Sequence, residues 1–499
     1  MRAIMQTAMA GFHLYSEYIC GMLISITIAR SLTTTEYGLY SSIIFVASVF
    51  TLSVNAGMNI NVTKFVAEVK HKAPDYLAAF FHLVNRLFLI RLCIAISIIA
   101  LVIWFDFDFG VSASLVAFIL LGASFKARYM LNLAIMKGIR RFDKVALVSL
   151  IVNPLNLLAV IICAVLLPGL TNFLIIYAVT CLLFWLVVIR ISNDLPSAQF
   201  NEQFEQHYRS RFIKQMISAT FVVIFAGFTF RQSQVLVLQS SDFLEAAGFF
   251  NIAFILSGAA ITLVPGIYKE ILLPKIVVAR ENKAAVGEVL QAERYLIILA
   301  GLVIFPLIIY AKEVIALLYG ERYMAAVQPL QWLMFFKFIG LLKEGANLTL
   351  ISHDKQDVLA WVNAGVFALM CLLSLLLVSN YGLMAAVWVY GSLSIVQLIG
   401  YMRFAKPFDY KMMPITSLLR ILIPGICMAL VVMFLNRYID GWWRVIPGSI
   451  VFIIGYVHLL VFFRAFDTTG QRLFHSLQRK SPQPLKIYFR WASQRLTPE

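Results

Sequence analysis

Eight of the ionisable residues that stand in, or at the ends of, otherwise apolar stretches are candidates for chemistry. Six are cations, Arg30, Lys126, Arg128, Arg231, Lys337 and Lys343, and two are acids, Glu17 and Glu344. An arginine fork holds two phosphate oxygens at once, and a lysine acts as a compact positive charge. A chamber lined by such groups attracts an anion such as a pyrophosphate or an acidic sugar. A buried carboxylate can instead carry a proton or a small cation, because loss of solvent favours its neutral form. Glu17, one turn after His13, therefore reads either as an ion-coupling group or as the partner of a buried arginine. Glu344 is the second ion-coupling candidate. Lys343 and Glu344 are chain neighbours and do not share a helix face. Arg231 lies deep in its apolar stretch beside Gln232 and Gln234. Lys126 and Arg128 read either as cavity lining or as the basic-side end of their helix, and Arg30 as a contact or a snorkelling end residue.

The surroundings of these groups decide what they cost. The chain has 499 residues, 61% hydrophobic and 13% charged, with a net charge of +16 and a mean hydropathy of +0.86. Soluble domains run at about 45–50% apolar and about 25% charged, so lipid is the solvent for most of this surface. Nine basic residues fall within apolar spans: Arg86, Arg91, Lys126, Arg128, Arg231, Lys312, Lys337, Lys343 and Arg420. The acids assigned to the spans are Glu17, Glu313 and Glu344. Arg86 and Lys312 lie near span ends. Each of the others would cost about 2.5–3.5 kcal/mol at a helix centre in lipid, so they must face protein or water.

The elements that position them are read from windows of about 20 apolar residues. Fourteen spans are expected: 11–29, 39–60, 86–105, 111–136, 145–167, 172–191, 215–238, 248–268, 295–318, 326–351, 358–378, 383–402, 416–435 and 445–463. The fold class is all-α integral membrane. The loops set the topology. With the N-terminus inside, 28 basic residues fall on the inner face and its tail, against Arg30, Arg322, Arg437 and Arg444 outside. That asymmetry places both termini in the cytoplasm. No cleavage site follows the first apolar stretch, so it is expected to remain as an anchor. In the tail, residues 485–492 alternate basic and apolar positions, as an interfacial helix or a solvated segment would.

The inventory excludes several chemistries. There is no P-loop, HExxH, GxGxxG or GxSxG pattern. The six cysteines lie in apolar spans without metal-ligand spacing, and most of the histidines lie in or near loops. No nucleic-acid-binding motif accompanies the positive charge. No catalytic residue, cofactor, metal or nucleic-acid partner is expected, and transport is the leading class.

The chain also repeats itself weakly, at a spacing of roughly 210 residues. Thr35-Glu36-Tyr37-Gly38-Leu39-Tyr40 opens the second span and Leu244-Glu245-Ala246-Ala247-Gly248-Phe249-Phe250 opens the eighth. Asn132-Leu133-Ala134-Ile135 before Asp143 matches Asn347-Leu348-Thr349-Leu350 before Asp357. Six helices matched to six in the same order make two bundles, an arrangement of transporters.

Four segments resemble one family: Ala29-Arg30-Ser31-Leu32 followed by Glu36-Tyr37-Gly38-Leu39-Tyr40; Ala247 to Ala253; Leu318-Tyr319-Gly320 with Tyr323; and Asn380-Tyr381-Gly382-Leu383-Met384-Ala385-Ala386. Over about residues 10–405 the chain resembles the polysaccharide and O-antigen flippases (Wzx-type) of the MATE-like multidrug/oligosaccharidyl-lipid/polysaccharide exporter superfamily. The resemblance implies two six-helix lobes around a central cavity, residues 1–213 and 214–405, two further helices in 406–466, and a basic tail, 467–499. It implies movement of an undecaprenyl-pyrophosphate-linked oligosaccharide, an O-antigen, capsule or exopolysaccharide unit, across the bacterial inner membrane. Polysaccharide polymerase and export machinery are the implied partners. Arg30, Arg231 and Lys337 fall where family members carry cavity cations. Phe230 stands where many relatives have Asp, and Met384 where many have Gly. A drug or cation antiporter of the same superfamily is the alternative, and a membrane polysaccharide polymerase a more distant one.

Overall fold

The structure is a computed structural model that describes residues 2–104, 110–192, 202–230, 233–262, 285–353, 355–408, 410, 413–439 and 441–466. Arg231, the loop cations Lys269, Lys275, Arg280 and Lys283, and the basic tail therefore lie outside the described residues. Among the described residues the regular structure is helical. Two compact units emerge, residues 1–259 with 355–393, and residues 260–354 with 394–499.

The first unit holds α1 (Arg2–Ser31), α2 (Thr34–Asn55), α3 (Met58–Lys72), α4 (Leu77–Trp104), α5 (Ala113–Gly138), α6 (Phe142–Leu166), α7 (Leu170–Ile191), α8 (Glu202–Phe230), α9 (Ser233–Ser240) and most of α10 (Leu244–Thr262). It also takes α15 (Gln356–Leu373) and the start of α16 (Ser379–Ala405). Thr33 starts α2 through a capping box: its hydroxyl accepts the Glu36 N–H, and Glu36 accepts the Thr33 N–H at 2.9 Å. Phe65, Phe80 and Phe212 form the aromatic centre of the unit. The ring of Phe212 stands edge-on to both others, with centroids 5.1 Å away. On α4, Ile90, Ile94, Ile98 and Leu101 stay exposed, as a lipid-facing stripe requires.

The second unit holds α11 (Ala285–Ile309), α12 (Ala311–Leu318), α13 (Val327–Gly340), α14 (Glu344–Ser352), the end of α16, α17 (Ile415–Leu435) and α18 (Val445–Phe462). Its packing centre joins Phe305 to Phe338, Phe452 and Tyr456. Glu313 of α12 forms an ion pair with Arg444, and Tyr310 donates to Asn436 Oδ1 at 3.1 Å.

Among the described residues eleven helices are long and apolar enough to cross a membrane, or twelve if the bent pair α11–α12 is one span. One of them, Gln356–Phe408, is 53 residues long. That is room for two crossings, interrupted at Gly382 by its φ of 63°. α1, with 30 residues, is a further apolar helix. The described helices are thus roughly consistent with the fourteen spans expected.

Two of the expected spans are broken. The ninth bends by 74° between Ile309 and Ala311, just after Pro306, whose ring removes a backbone donor from α11. The second continues from α2 into α3 through Ala56 and Gly57, with Gly57 at a left-handed φ of 67°.

Candidate functional site

Lys337 sits on α13, near the middle of the span Glu321–Ile351. At 1.5 Å per residue it lies roughly 20 Å from either end. It is half-buried, and its chain neighbours Phe336 and Phe338 are buried. A cation at that depth is held by its protein surroundings. Lys343 follows in the short tight turn that joins α13 to α14, and its ammonium donates to Gln397 Oε1 on α16. Gln397 in turn donates to the Tyr401 hydroxyl at 3.2 Å. Glu344, the next residue, is 8% exposed.

Lys126 and Arg128 share α5 but diverge, because two positions on a helix are about 200° apart. Lys126 lies over the Tyr177 ring of α7, 5.4 Å from its centroid. Arg128 turns to α4, donating to Asn85 Oδ1 at 2.7 Å and stacking on Phe88. Arg30 is in the last turn of α1 and exposed. Glu17 is also exposed on α1, beside a polar seam. In that seam His13 pairs with Ser149 of α6 and Lys137 of α5, and Asn153 of α6 donates to Ser16 at 3.1 Å. Ser233 and Gln234 are buried, and Gln234 donates to Ser374 at 3.2 Å, at the start of a wide π turn after α15.

Three other span cations have local explanations. Arg91 fastens the α2–α3 break: one nitrogen donates to the Ala56 carbonyl at 2.6 Å and another to Thr220 of α8 at 2.7 Å. Arg420 and Lys312 are exposed within two turns of the starts of their helices, within reach of an interface.

The two repeated motifs meet each other. Gly38 of α2 lies so close to α10 that a Cβ built on it would stand 1.9 Å from the Leu244 carbonyl oxygen. Gly248 faces Gly38 in return, with its own Cβ position 3.2 Å from the Gly38 nitrogen. Around this approach Thr34 donates to Glu245 at 2.9 Å, Asn251 donates to Ser41 at 2.7 Å and to Tyr37 at 3.2 Å, and Ser25 bonds the Tyr37 hydroxyl.

One buried group was missed by the sequence. Glu293 in α11 is 4% exposed, yet it falls two residues before the expected start of its span. Its hydropathy signal was that of a loop.

Comparison with known proteins adds the following. The profile of a family described as "Polysaccharide biosynthesis protein" matches residues 27–328. No curated protein matches the chain. Among solved structures, the chain is similar to the lipid II flippase MurJ in its inward closed conformation. The TM-score is 0.68 at 15% identity, over 92% of this chain and 98% of that one. It is also similar to an inward-facing multidrug resistance MATE family transporter of the MOP superfamily, at 0.59 and 12%, over 79% and 94%. A MOP superfamily transporter from Pyrococcus furiosus, titled for the reverse polarity of its binding pocket, follows at 0.52 and 11%, over 81% and 96%. These likenesses establish a multi-pass membrane fold of the MurJ and MATE type.

Proposed function

This chain belongs to the polysaccharide biosynthesis protein family, and on that footing we propose that it flips a lipid-linked oligosaccharide across the bacterial inner membrane. The cargo is an undecaprenyl-pyrophosphate-linked repeat unit of O-antigen, capsule or exopolysaccharide, which a polymerase and export machinery then use. Both termini lie in the cytoplasm. The single observation that carries this reading is the depth of Lys337, a half-buried cation at mid-span. Its charge suits a pyrophosphate that must leave water at one face and reach it at the other.

In this mechanism the two repeats, residues 1–213 and 214–405, act as lobes. Arg30, Lys126, Arg128, Arg231, Lys337 and Lys343 offer positive charge to the headgroup and glycan while the lipid tail stays in the bilayer. Rocking of the lobes, driven by the membrane potential or an ion gradient, exposes the headgroup to the opposite face. Binding is electrostatic and releases no covalent intermediate, so the chain needs no catalytic residue.

The test is genetic. In a host lacking this chain, the wild type restores surface polysaccharide, and Arg231→Ala or Lys337→Ala abolishes it while the protein stays in the membrane. Normal polysaccharide from both variants removes the cationic mechanism.

A further inference from the structure

The first turns of α8 enter the span Tyr208–Phe230 and present two different faces. One face is committed to packing. Phe212 and Met216 are buried, Arg211 pairs with Glu68 of α3 at 2.8 Å, and Gln215 accepts a hydrogen bond from Lys64 of α3 at 3.2 Å. Another face holds an open cavity of about 520 Å³, lined among the described residues by Arg209, Ser210, Ile213, Lys214 and Ile217. Their spacing places all five on one stripe of the helix. Ser210, Lys214 and Ile217 are exposed, and the stripe continues through the exposed Phe221.

The order of residues along the stripe points to the occupant. Its polar part, from Arg209 to Lys214, covers about 7.5 Å of helix axis. One interfacial layer of a bilayer is roughly 5–7 Å deep. Below it the stripe turns apolar with Ile217 and Phe221, and the following positions on the same stripe, Ile224, Phe225 and Phe228, are apolar too. A phospholipid has the same profile, with a phosphate at headgroup depth and acyl chains beneath. Two cations and a hydroxyl suit a phosphodiester. A headgroup with its own ammonium brings a like charge to Lys214, whereas an anionic one does not. No polar group continues the stripe toward the far face, so a headgroup seated here has nothing to receive it on a passage across. The site therefore fits a resident lipid and not cargo in transit.

We infer that this stripe of α8 is a binding site for one anionic phospholipid of the surrounding bilayer. Lys214 and Arg209 hold its phosphate, the Ser210 hydroxyl donates to a phosphate oxygen, and Ile217 and Phe221 carry its acyl chains. The lipid belongs to the leaflet at the start of α8, the inner one on the proposed topology, and fixes the depth of that helix end. This site stands apart from the flippase reading, because it needs only a membrane-spanning α8.

Glu205 stands about one turn before Arg209 in the chain, so Lys214 carries the test. Native mass spectrometry of the full-length protein, titrated with phosphatidylglycerol or with phosphatidylcholine of the same acyl chains, measures the first binding step. The wild type should prefer phosphatidylglycerol by about fivefold or more, the worth of a lysine at a charged membrane surface. Lys214→Ala should lower the phosphatidylglycerol affinity about fivefold and leave phosphatidylcholine unchanged, and Lys214→Arg should retain the preference. Lys72→Ala removes the same charge from an exposed lysine paired with Glu68, and should change neither affinity. A wild type without preference, or an equal loss in Lys72→Ala and Lys214→Ala, overturns the site. Displacement of phosphatidylglycerol by an equal concentration of inorganic phosphate would make it a site for free anions. Preferential displacement by undecaprenyl pyrophosphate would make it a cargo site. Either result overturns the resident lipid.

Discussion

Gly38→Ala tests the closest approach of a glycine to another helix's backbone among the described residues. A methyl group on Gly38 would stand 1.9 Å from the Leu244 carbonyl oxygen and 2.9 Å from its carbon. Real contacts of this kind begin near 3.0 Å, so α2 and α10 must part by more than about 1 Å. The obstacle is backbone, not the end of a flexible side chain, so no rotamer change relieves it. The displacement also lengthens the Thr34–Glu245, Asn251–Ser41 and Asn251–Tyr37 hydrogen bonds. Overpacking of this kind costs about 1–3 kcal/mol. Expressed as an equilibrium between joined and parted α2 and α10, that is roughly 5- to 150-fold. The assay is disulfide formation between Thr34→Cys and Glu245→Cys, placed with and without Gly38→Ala. Crosslinking should be fast in the Gly38 background and fall by that factor with alanine. Gly365→Ala is the control, since a Cβ there meets nothing within 4 Å. Equal crosslinking in the Gly38, Gly38→Ala and Gly365→Ala backgrounds would refute the close packing and its energetic weight.

Two further outcomes follow from the buried charges. Arg91→Leu leaves the Ala56 carbonyl at the α2–α3 break without its charged donor, and should cost about 1.5–3 kcal/mol of stability. A lowered midpoint in thermal unfolding of the detergent-purified protein, partly restored by Arg91→Lys, is the expected readout. Arg444→Gln breaks the half-exposed ion pair with Glu313 and should cost at most about 1 kcal/mol, with Glu313→Gln adding little in the double variant.

Much of this architecture was legible in the sequence because lipid imposes a length. Some 20 apolar residues between basic loops must be helical wherever they fall, and most of the expected spans coincide with observed helices. The bend at Tyr310 was not legible. Pro306 marks a weakness, but whether a helix kinks there depends on what packs around it, here Phe305 against Phe338 and Tyr456. The repeated Glu-x-x-Gly and Glu-Tyr-Gly motifs were visible as similarity. That their glycines are partners was not, because the contact joins residues 210 positions apart in the chain. Likewise Lys126 and Arg128 read as a pair, yet helical geometry sends one to α7 and the other to α4. Glu293 looked like a loop acid because its burial is made by Gly345 and by Tyr410, which is 117 residues away.

The most direct measurement of the central claim is the rate at which the purified chain, in proteoliposomes, moves a fluorescent undecaprenyl-pyrophosphate oligosaccharide between leaflets, compared with Lys337→Ala. The flippase account predicts movement by the wild type and a rate near the protein-free background for the variant. Equal rates for the two proteins, or a wild type no faster than empty liposomes, would contradict it.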